Sequence, residues 1–270
     1  MFRYFLMLLL LTFAVACGGS DKPAPKTSGG DSAAVDEDDE DDTGISVRQT
    51  YSADKGTAGV KGTIKFEGKA RRRPIDMGSE KYCENCYGED GPPKSESVVV
   101  GENGELANVF VHITSGLKNW KFQKGTGEVH IDQIKCMYVP HVTGVQVGQT
   151  LKIANSDSVM HNIHASDKSG DDWFNQGQPN KGDVFTREVG GSDAGFYTMK
   201  CDVHGWMAAY ICVVKNPFFA VSGTDGAFSL DKLPAGTYTV EAWHEKYGKK
   251  TQQVTVKDGE TAEISFTFSK

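Results

Sequence analysis

Past residue 16 the sequence has no apolar run long enough to cross a bilayer, and no stretch with the sustained period of a long helix. Leucine and methionine are scarce there while glycine is abundant, at 31 in 270 residues, which points to β-structure. Basic runs are scarce too. The only one, Arg71 to Arg73, is short and isolated and reads as a solvated loop, so nucleic-acid binding has no support. The "CENCY" stretch at Cys83 and Cys86 lacks the histidine that c-type haem attachment needs. Its loop-like surroundings also lack the helix start of a thioredoxin-like redox pair.

What is present begins with "MFRYFLMLLLLTFAVAC": one basic residue, an apolar run from Phe5 to Ala16, then small residues leading into Cys17. The run is too short for a permanent membrane helix and has the layout of an export signal over residues 1–16. "AVAC" followed by "GGS" resembles a bacterial lipobox, which implies lipidation of Cys17 and membrane attachment through the lipid. An ordinary signal peptide with Cys17 as a bystander is the alternative. The implied location is outside the cytoplasm, on the periplasmic face or at the cell surface.

Residues 17–56 are expected to form a disordered acidic tether, with seven consecutive acids from Asp36 to Asp42. Gly18 to Gly44 holds nine acidic residues against Lys22 and Lys26, a balance equal to the whole chain's −7. Setting that segment and Arg3 aside leaves 26 basic and 27 acidic residues, so the folded part is close to neutral.

From about residue 57 short segments alternate apolar and polar residues between Gly, Asn and Asp breaks: "VKGTIKFEG", "LANVFVHIT", "VTGVQVGQTLKIANSD", "GFYTMKC", "MAAYICVV", "TAEISFTF". That is the pattern of half-buried strands and turns, so the fold class is all-β, built as sandwiches.

The stretch "GFYTMKCDVHGWMAAYICVV" places Cys201, His204 and Met207 at C-x-x-H-x-x-M between two apolar runs. A copper site for electron transfer uses two imidazoles and a thiolate with a weak axial thioether. This loop supplies one of each. A second imidazole occurs forty residues upstream in "VGQTLKIANSDSVMHNIHA", where His161 follows a strand. A sandwich readily brings two such loops together. The plain alternative makes Cys201 a buried core cysteine or half of a disulfide. A zinc site has no use for a thioether, and a binuclear copper centre needs a second cysteine in the loop. His164 reads as a neighbour of His161, and His112, His130 and His141 as ordinary β-residues.

These two segments resemble the cupredoxin family of blue copper proteins, with a second-loop spacing similar to that of amicyanin; the resemblance spans Val129 to Val214. It implies a Greek-key sandwich over residues 126–215 and one type-1 copper ion. His161, Cys201 and His204 would be its equatorial ligands and Met207 the axial one. Asn162 would steady the ligand loops around the thiolate, and Trp206, beside His204, would be a docking residue for a redox protein partner. Trp206 folded back onto the core is the alternative. The implied function is one-electron transfer and not catalysis, with copper buffering at the surface as the other reading.

Export implies an oxidising compartment, where spare thiols pair. Cys212 lies in an apolar strand and reads as a buried thiol. Cys83, Cys86 and Cys136 are disulfide candidates, either Cys83 to Cys86 or one of them to Cys136, the latter favoured because it ties a long loop to a strand of the copper domain.

"VSGTDGAFSLDKLPAGTYTVEAWHEKYGKKTQQVTV" resembles the carboxypeptidase regulatory-like, transthyretin-like sandwich. The strands with which that family opens match "GVKGTIKFEG" and "LANVFVHIT" far upstream. The expected arrangement is therefore an insertion: residues 57–125 start this sandwich, 126–215 interrupt it and 216–270 complete it. Two domains in series is the alternative. No hydrolytic constellation occurs in this part, so the resemblance implies a structural or binding module.

Overall fold

The computed structural model describes residues 48–270. The leader, Cys17 and the acidic run Asp36 to Asp42 lie outside the described residues. The described residues form one compact unit, and no helix among them is long and apolar enough to cross a membrane.

The chain is all-β. It opens with β1 (Gln49–Thr50) and β2 (Ala58–Glu67), followed by a one-turn helix, α1 (Lys81–Asn85). Next come β3 (Phe110–Ser115), β4 (Trp120–Lys121), β5 (Glu128–Ile134), β6 (Met137–Val139), β7 (Val142–Gln146) and β8 (Thr150–Asn155). The middle strands are β9 (His161–Ser166), β10 (Asp172–Gln178), β11 (Val184–Glu188), β12 (Gly195–Lys200) and β13 (Ala208–Val214). The last five are β14 (Phe219–Val221), β15 (Ala227–Leu233), β16 (Gly236–His244), β17 (Gly248–Val256) and β18 (Thr261–Ser269).

Four sheets make two sandwiches. The first pairs β10-β9-β12-β13-β7 with β11-β8-β5-β6. Ile131, Leu151 and Ile153 on one sheet and Ile163, Met199 and Ile211 on the other share a core. β8 shows why the sequence folds this way: "TLKIAN" alternates, and Leu151, Ile153 and Asn155 all point inward. The second sandwich pairs β14-β3-β16-β17 with β15-β2-β18, around Val60, Ile64, Phe228 and Phe266 on one side and Val111, Ile113 and Val240 on the other. Burying each such side chain stabilises the fold by roughly 1.5–3 kcal/mol. The chain leaves this sandwich after β3 and re-enters it at β14, so β5 to β13 lie between its two halves in sequence.

The two sandwiches meet along a third apolar cluster, Phe110, Val142, Cys212 and Val214, with Phe196, Phe219 and Trp243 packed on it. The closeness of that seam depends on Gly144 in β7. A Cβ there would sit 2.5 Å from the Phe219 ring and 2.8 Å from the Phe110 ring, well inside contact distance. A polar pin accompanies the apolar one. His141 Nε2 lies 2.6 Å from Glu245 Oε1, and the Tyr210 hydroxyl donates to Glu245 Oε2 at 2.8 Å. His141, an ordinary β-residue by sequence, is thus buried and joins the start of β7 to the β16–β17 turn, as Tyr210 joins β13 to it.

Candidate metal centre

The site lies where β9 begins and β12 ends. Lys200 pairs with His164 across those strands, which sets the first residue of β9 beside the loop that follows β12. That loop, 201–207, closes the β12–β13 hairpin and holds itself tightly: the Cys201 amide donates to the Met207 carbonyl at 3.3 Å and the Met207 amide to the His204 carbonyl at 2.9 Å.

Three donor atoms converge. His161 Nδ1 and His204 Nδ1 are 2.9 Å apart, and Cys201 Sγ is 3.7 Å from His204 Nδ1. The donors of His161, Cys201 and His204 all lie within 4.8 Å of one another, and all three residues are buried. Met207 is 1% exposed and packs in the same core as Cys201. Burial of this kind excludes water from the donor set.

Electrostatics prepare the donors. Burial pushes the Cys201 thiol up, but hydrogen bonding with His161 and from backbone amides of Asn162, His204 and Val203 outweighs it and holds the thiol below its ordinary value. Burial, then the neighbouring His161, pushes His204 down, toward the neutral imidazole that a metal requires. His161 is held up against its burial, first by Asp157 and then by Cys201.

Asp157 had no signal in the sequence beyond a turn residue in "NSDSV", yet it organises the site. It is 2% exposed. One oxygen, Oδ2, lies 3.0 Å from His161 Nε2 and accepts the Cys136 amide at 2.7 Å; the other accepts the Lys135 amide at 2.7 Å. With Nε2 committed to a carboxylate, the Nδ1 lone pair of His161 is the one left to face Cys201 and His204. Lys135 and Cys136 form the two-residue turn between β5 and β6, both left-handed at φ 53° and 57°. Such a turn normally takes Asn-Gly. Here the carboxylate fastens both amides, and a disulfide fastens Cys136 to Cys83 with a Cα–Cα separation of 5.6 Å. Cys86 is left as a half-buried free thiol. Cys212 is a free, buried thiol, which burial pushes well up. Asn155, whose amide group donates to the Val159 and Gln178 carbonyls, holds the 155–160 loop and accepts the Asp157 amide at 3.0 Å.

Asn162 stitches the two ligand-bearing loops together. Its backbone amide points at Cys201 Sγ at 3.5 Å, its Oδ1 accepts the Asp202 amide, and its Nδ2 donates to Asp202 Oδ2 at 2.9 Å. The Tyr138 hydroxyl in turn donates to the Asn162 carbonyl. His164 stands apart from the donors; it binds Asp202 and Asp172 and so braces the same loop from outside. His112 pairs with Glu241 at 3.4 Å, and His130 sits beside Glu128 at 3.2 Å; neither is near the donor set among the described residues.

Trp206 differs from the exposed docking aromatic that the sequence suggests. It is half-buried, packs against the core and donates its indole N–H to the Cys136 carbonyl at 3.1 Å. Its ring lies over His204 with centroids 5.0 Å apart, and His204 is only 3% exposed. The indole has one polar group and satisfies it inward, which removes the cost of burying the ring.

Residues 209–269 match the family model of the carboxypeptidase regulatory-like domain. No curated relative matches the chain. Among solved structures, a purple cupredoxin from Nitrosopumilus maritimus is 28% identical over 32% of this chain and 98% of its own, with a TM-score of 0.29. Amicyanin from Paracoccus versutus is 19% identical over 32% of this chain and 80% of its own, with a TM-score of 0.28. A copper-containing nitrite reductase from Thermus scotoductus is 20% identical over 33% of this chain, with a TM-score of 0.28; only 22% of the reductase is covered.

Proposed function

We propose that the protein is an exported electron carrier that holds one type-1 copper ion through His161, Cys201 and His204, with Met207 as the weak axial donor. The observation that carries this reading is the convergence of two imidazole nitrogens and one thiol sulfur in a buried pocket. The donor chemistry fits: a thiol held low and a neutral His204 suit copper, and a nearby thioether has no place in a zinc site. Copper bound there would supply a single one-electron couple. The chain's own residues do the rest. Asp157 fixes the His161 ring, Asn162 directs its amide at the Cys201 sulfur and ties the loops, and the packed shell of Tyr138, Trp206 and Met207 keeps water out. Four donors from the chain leave no position for a substrate, so the reading is of a carrier and not an enzyme.

The test is a visible spectrum and a voltammogram of the copper-loaded chain. An intense thiolate-to-copper band with a reversible one-electron wave is the expected result, and Met207→Leu should shift the potential because the axial donor tunes it. Copper uptake with no such band would reject the assignment; copper that is released readily but not cycled would favour the buffering role.

We also propose that a lipid on Cys17 holds the protein at a membrane, with residues 126–215 as the copper domain within the regulatory-like sandwich of 57–125 and 216–270; the tether expected over 17–56 ends before β1, because Gln49–Thr50 pairs with β4 and Tyr51 packs on the core of the second sandwich. Intact-mass measurement of the native membrane fraction should show a lipid adduct that Cys17→Ser lacks. A mature, unmodified soluble chain starting downstream of Cys17 would reject the anchor.

A further inference from the structure

By sequence Arg71–Arg73 is an isolated basic run; in the fold it has company. β2 and β18 run parallel and end together, Ser269 beside Glu67. Lys69 and Arg71–Arg73 follow the end of β2, Lys270 follows the end of β18, and Lys246 sits in the β16–β17 turn. All six line one cavity of about 920 Å³, and no Asp or Glu is among its lining residues. The six side chains belong to exposed residues. The lysines and arginines whose ion pairs are seen in the described residues are elsewhere: Lys65, Lys152, Arg187 and Lys249.

The basic platform is built, not loose. The Arg73 carbonyl accepts the Ser95 amide at 2.8 Å, and the Ile75 amide donates to the Pro93 carbonyl at 2.8 Å. Arg72 donates to the carbonyls of Ser95 and Lys94 at 2.9 and 3.2 Å. The arginine run is thereby zipped to a neighbouring segment through its backbone, and the Arg72 charge is fixed in place.

The cavity also leads toward the metal centre. Ser95 and Ser97 line both it and a second cavity of about 330 Å³, whose wall includes Trp206. Trp206 in turn lies over His204. Asp76, Glu96 and Glu245 line that second cavity, so the surface steps from positive to negative between the cleft and Trp206. Such a step selects the orientation of a charged partner, since carboxylates laid over the cleft are attracted and carboxylates laid over Trp206 are repelled.

We propose that the basic cleft is the seat of an acidic redox protein, one that presents a run of carboxylates to these six cations and its own redox group toward Trp206. The proposal rests on the reading of His161, Cys201 and His204 as an electron-transfer centre. A cleft of about 920 Å³, with cations contributed by three separate segments, suits an extended acidic surface better than a single small anion. It also gives the regulatory-like sandwich, which supplies all six cations through its strand ends, turn and connecting segment, a part in partner choice.

The probe for the first test is a fluorescent octaglutamate peptide, titrated into the metal-free full-length chain at low ionic strength and followed by anisotropy. Binding that weakens as salt is added is expected. The triple variant Arg71→Glu, Arg73→Glu, Lys246→Glu should bind about tenfold more weakly or worse, and Arg71→Gln, Arg73→Gln, Lys246→Gln should fall between. Reversal of Lys181 and Lys257, exposed lysines outside the cleft, should change nothing. The second test uses the copper-loaded, reduced protein, which gives up one electron as hexacyanoferrate(III) becomes hexacyanoferrate(II). Stopped-flow rates should fall about tenfold in the triple variant, while oxidation by the cationic tris(phenanthroline)cobalt(III), reduced to cobalt(II), should not slow.

Equal peptide affinity in wild type and triple variant overturns the cleft whatever the metal centre does. Tighter binding to phosphatidylglycerol vesicles than to the peptide, lost on charge reversal, assigns the cleft to lipid and overturns the acidic partner. A copper-loaded protein that exchanges electrons with neither oxidant overturns the reading of the centre, and with it the redox character of the partner, even where peptide binding is kept.

Discussion

Cys201→Ser is expected to give a copper-loaded protein without the intense visible band of the wild type. The band requires a sulfur donor, and no other thiol in the described residues can take its place. Cys83 and Cys136 are joined in a disulfide, Cys212 is buried in the seam between the sandwiches, and Cys86 does not belong to the donor group. A serine hydroxyl keeps its proton near neutral pH, so the site would lose an anionic donor as well as a soft one, and copper affinity should fall together with the colour. The Asn162 amide that faces the sulfur at 3.5 Å would face a shorter side chain. Absorption spectra with copper stoichiometry on the same samples decide the matter; a band that survives the substitution would remove Cys201 from the site.

Asp157→Ala should be the most damaging change that leaves every proposed ligand in place. The carboxylate, itself buried, accepts bonds from two backbone amides and sits 3.0 Å from His161 Nε2. Each buried polar group left unpaired costs about 1–3 kcal/mol, so a loss of roughly 3–5 kcal/mol in the metal-free chain is expected. The left-handed Lys135–Cys136 turn, whose conformation costs about 1–2 kcal/mol per residue, would lose its fastening at the same time. With the His161 ring no longer fixed, copper affinity should drop about 10–100-fold. Asp157→Asn keeps one acceptor and should cost less on both counts. Denaturant unfolding of the metal-free proteins and a copper competition titration separate the two effects. Unchanged affinity in Asp157→Ala would mean that the His161 ring is positioned by packing alone.

The contrast between those two residues shows what a single sequence reveals here. Cys201, His204 and Met207 stand at fixed spacing in one loop, and a loop between two strands cannot scatter residues three apart. The alternation in "VTGVQVGQTLKIANSD" is likewise enough to specify β7 and β8, since a period of two leaves only one face for the core. Asp157 is different. Its partners Lys135 and Cys136 lie over twenty residues away, in a different hairpin, and nothing local distinguishes an aspartate that caps a remote turn from one that faces water. The inward hydrogen bond of Trp206 was hidden for a related reason. Its neighbours Gly205 and Val203 suggest an exposed loop tip, but the carbonyl that receives its N–H belongs to Cys136, seventy residues upstream. Most of the basic cleft was hidden, because Lys246 and Lys270 join Lys69 and Arg71–Arg73 only through the parallel pairing of β2 with β18 and the placement of the β16–β17 turn.

That same pairing governs the order in which the molecule can close. β2 is the middle strand of its sheet, and both of its neighbours, β15 and β18, come at least 160 residues later in the chain. The strands β5 to β13, by contrast, find all their ladder partners among themselves. As the chain emerges from synthesis, the first sandwich can be complete while Val60, Ile64 and Phe66 still lie on an open edge, an invitation to pair with a neighbouring chain. Only the final strand, Thr261–Ser269, covers that edge along its whole length. Loss of Thr261–Ser269 would therefore leave every ladder of the first sandwich intact and the β2 edge of the second open, so a single strand decides whether that half is closed or sticky.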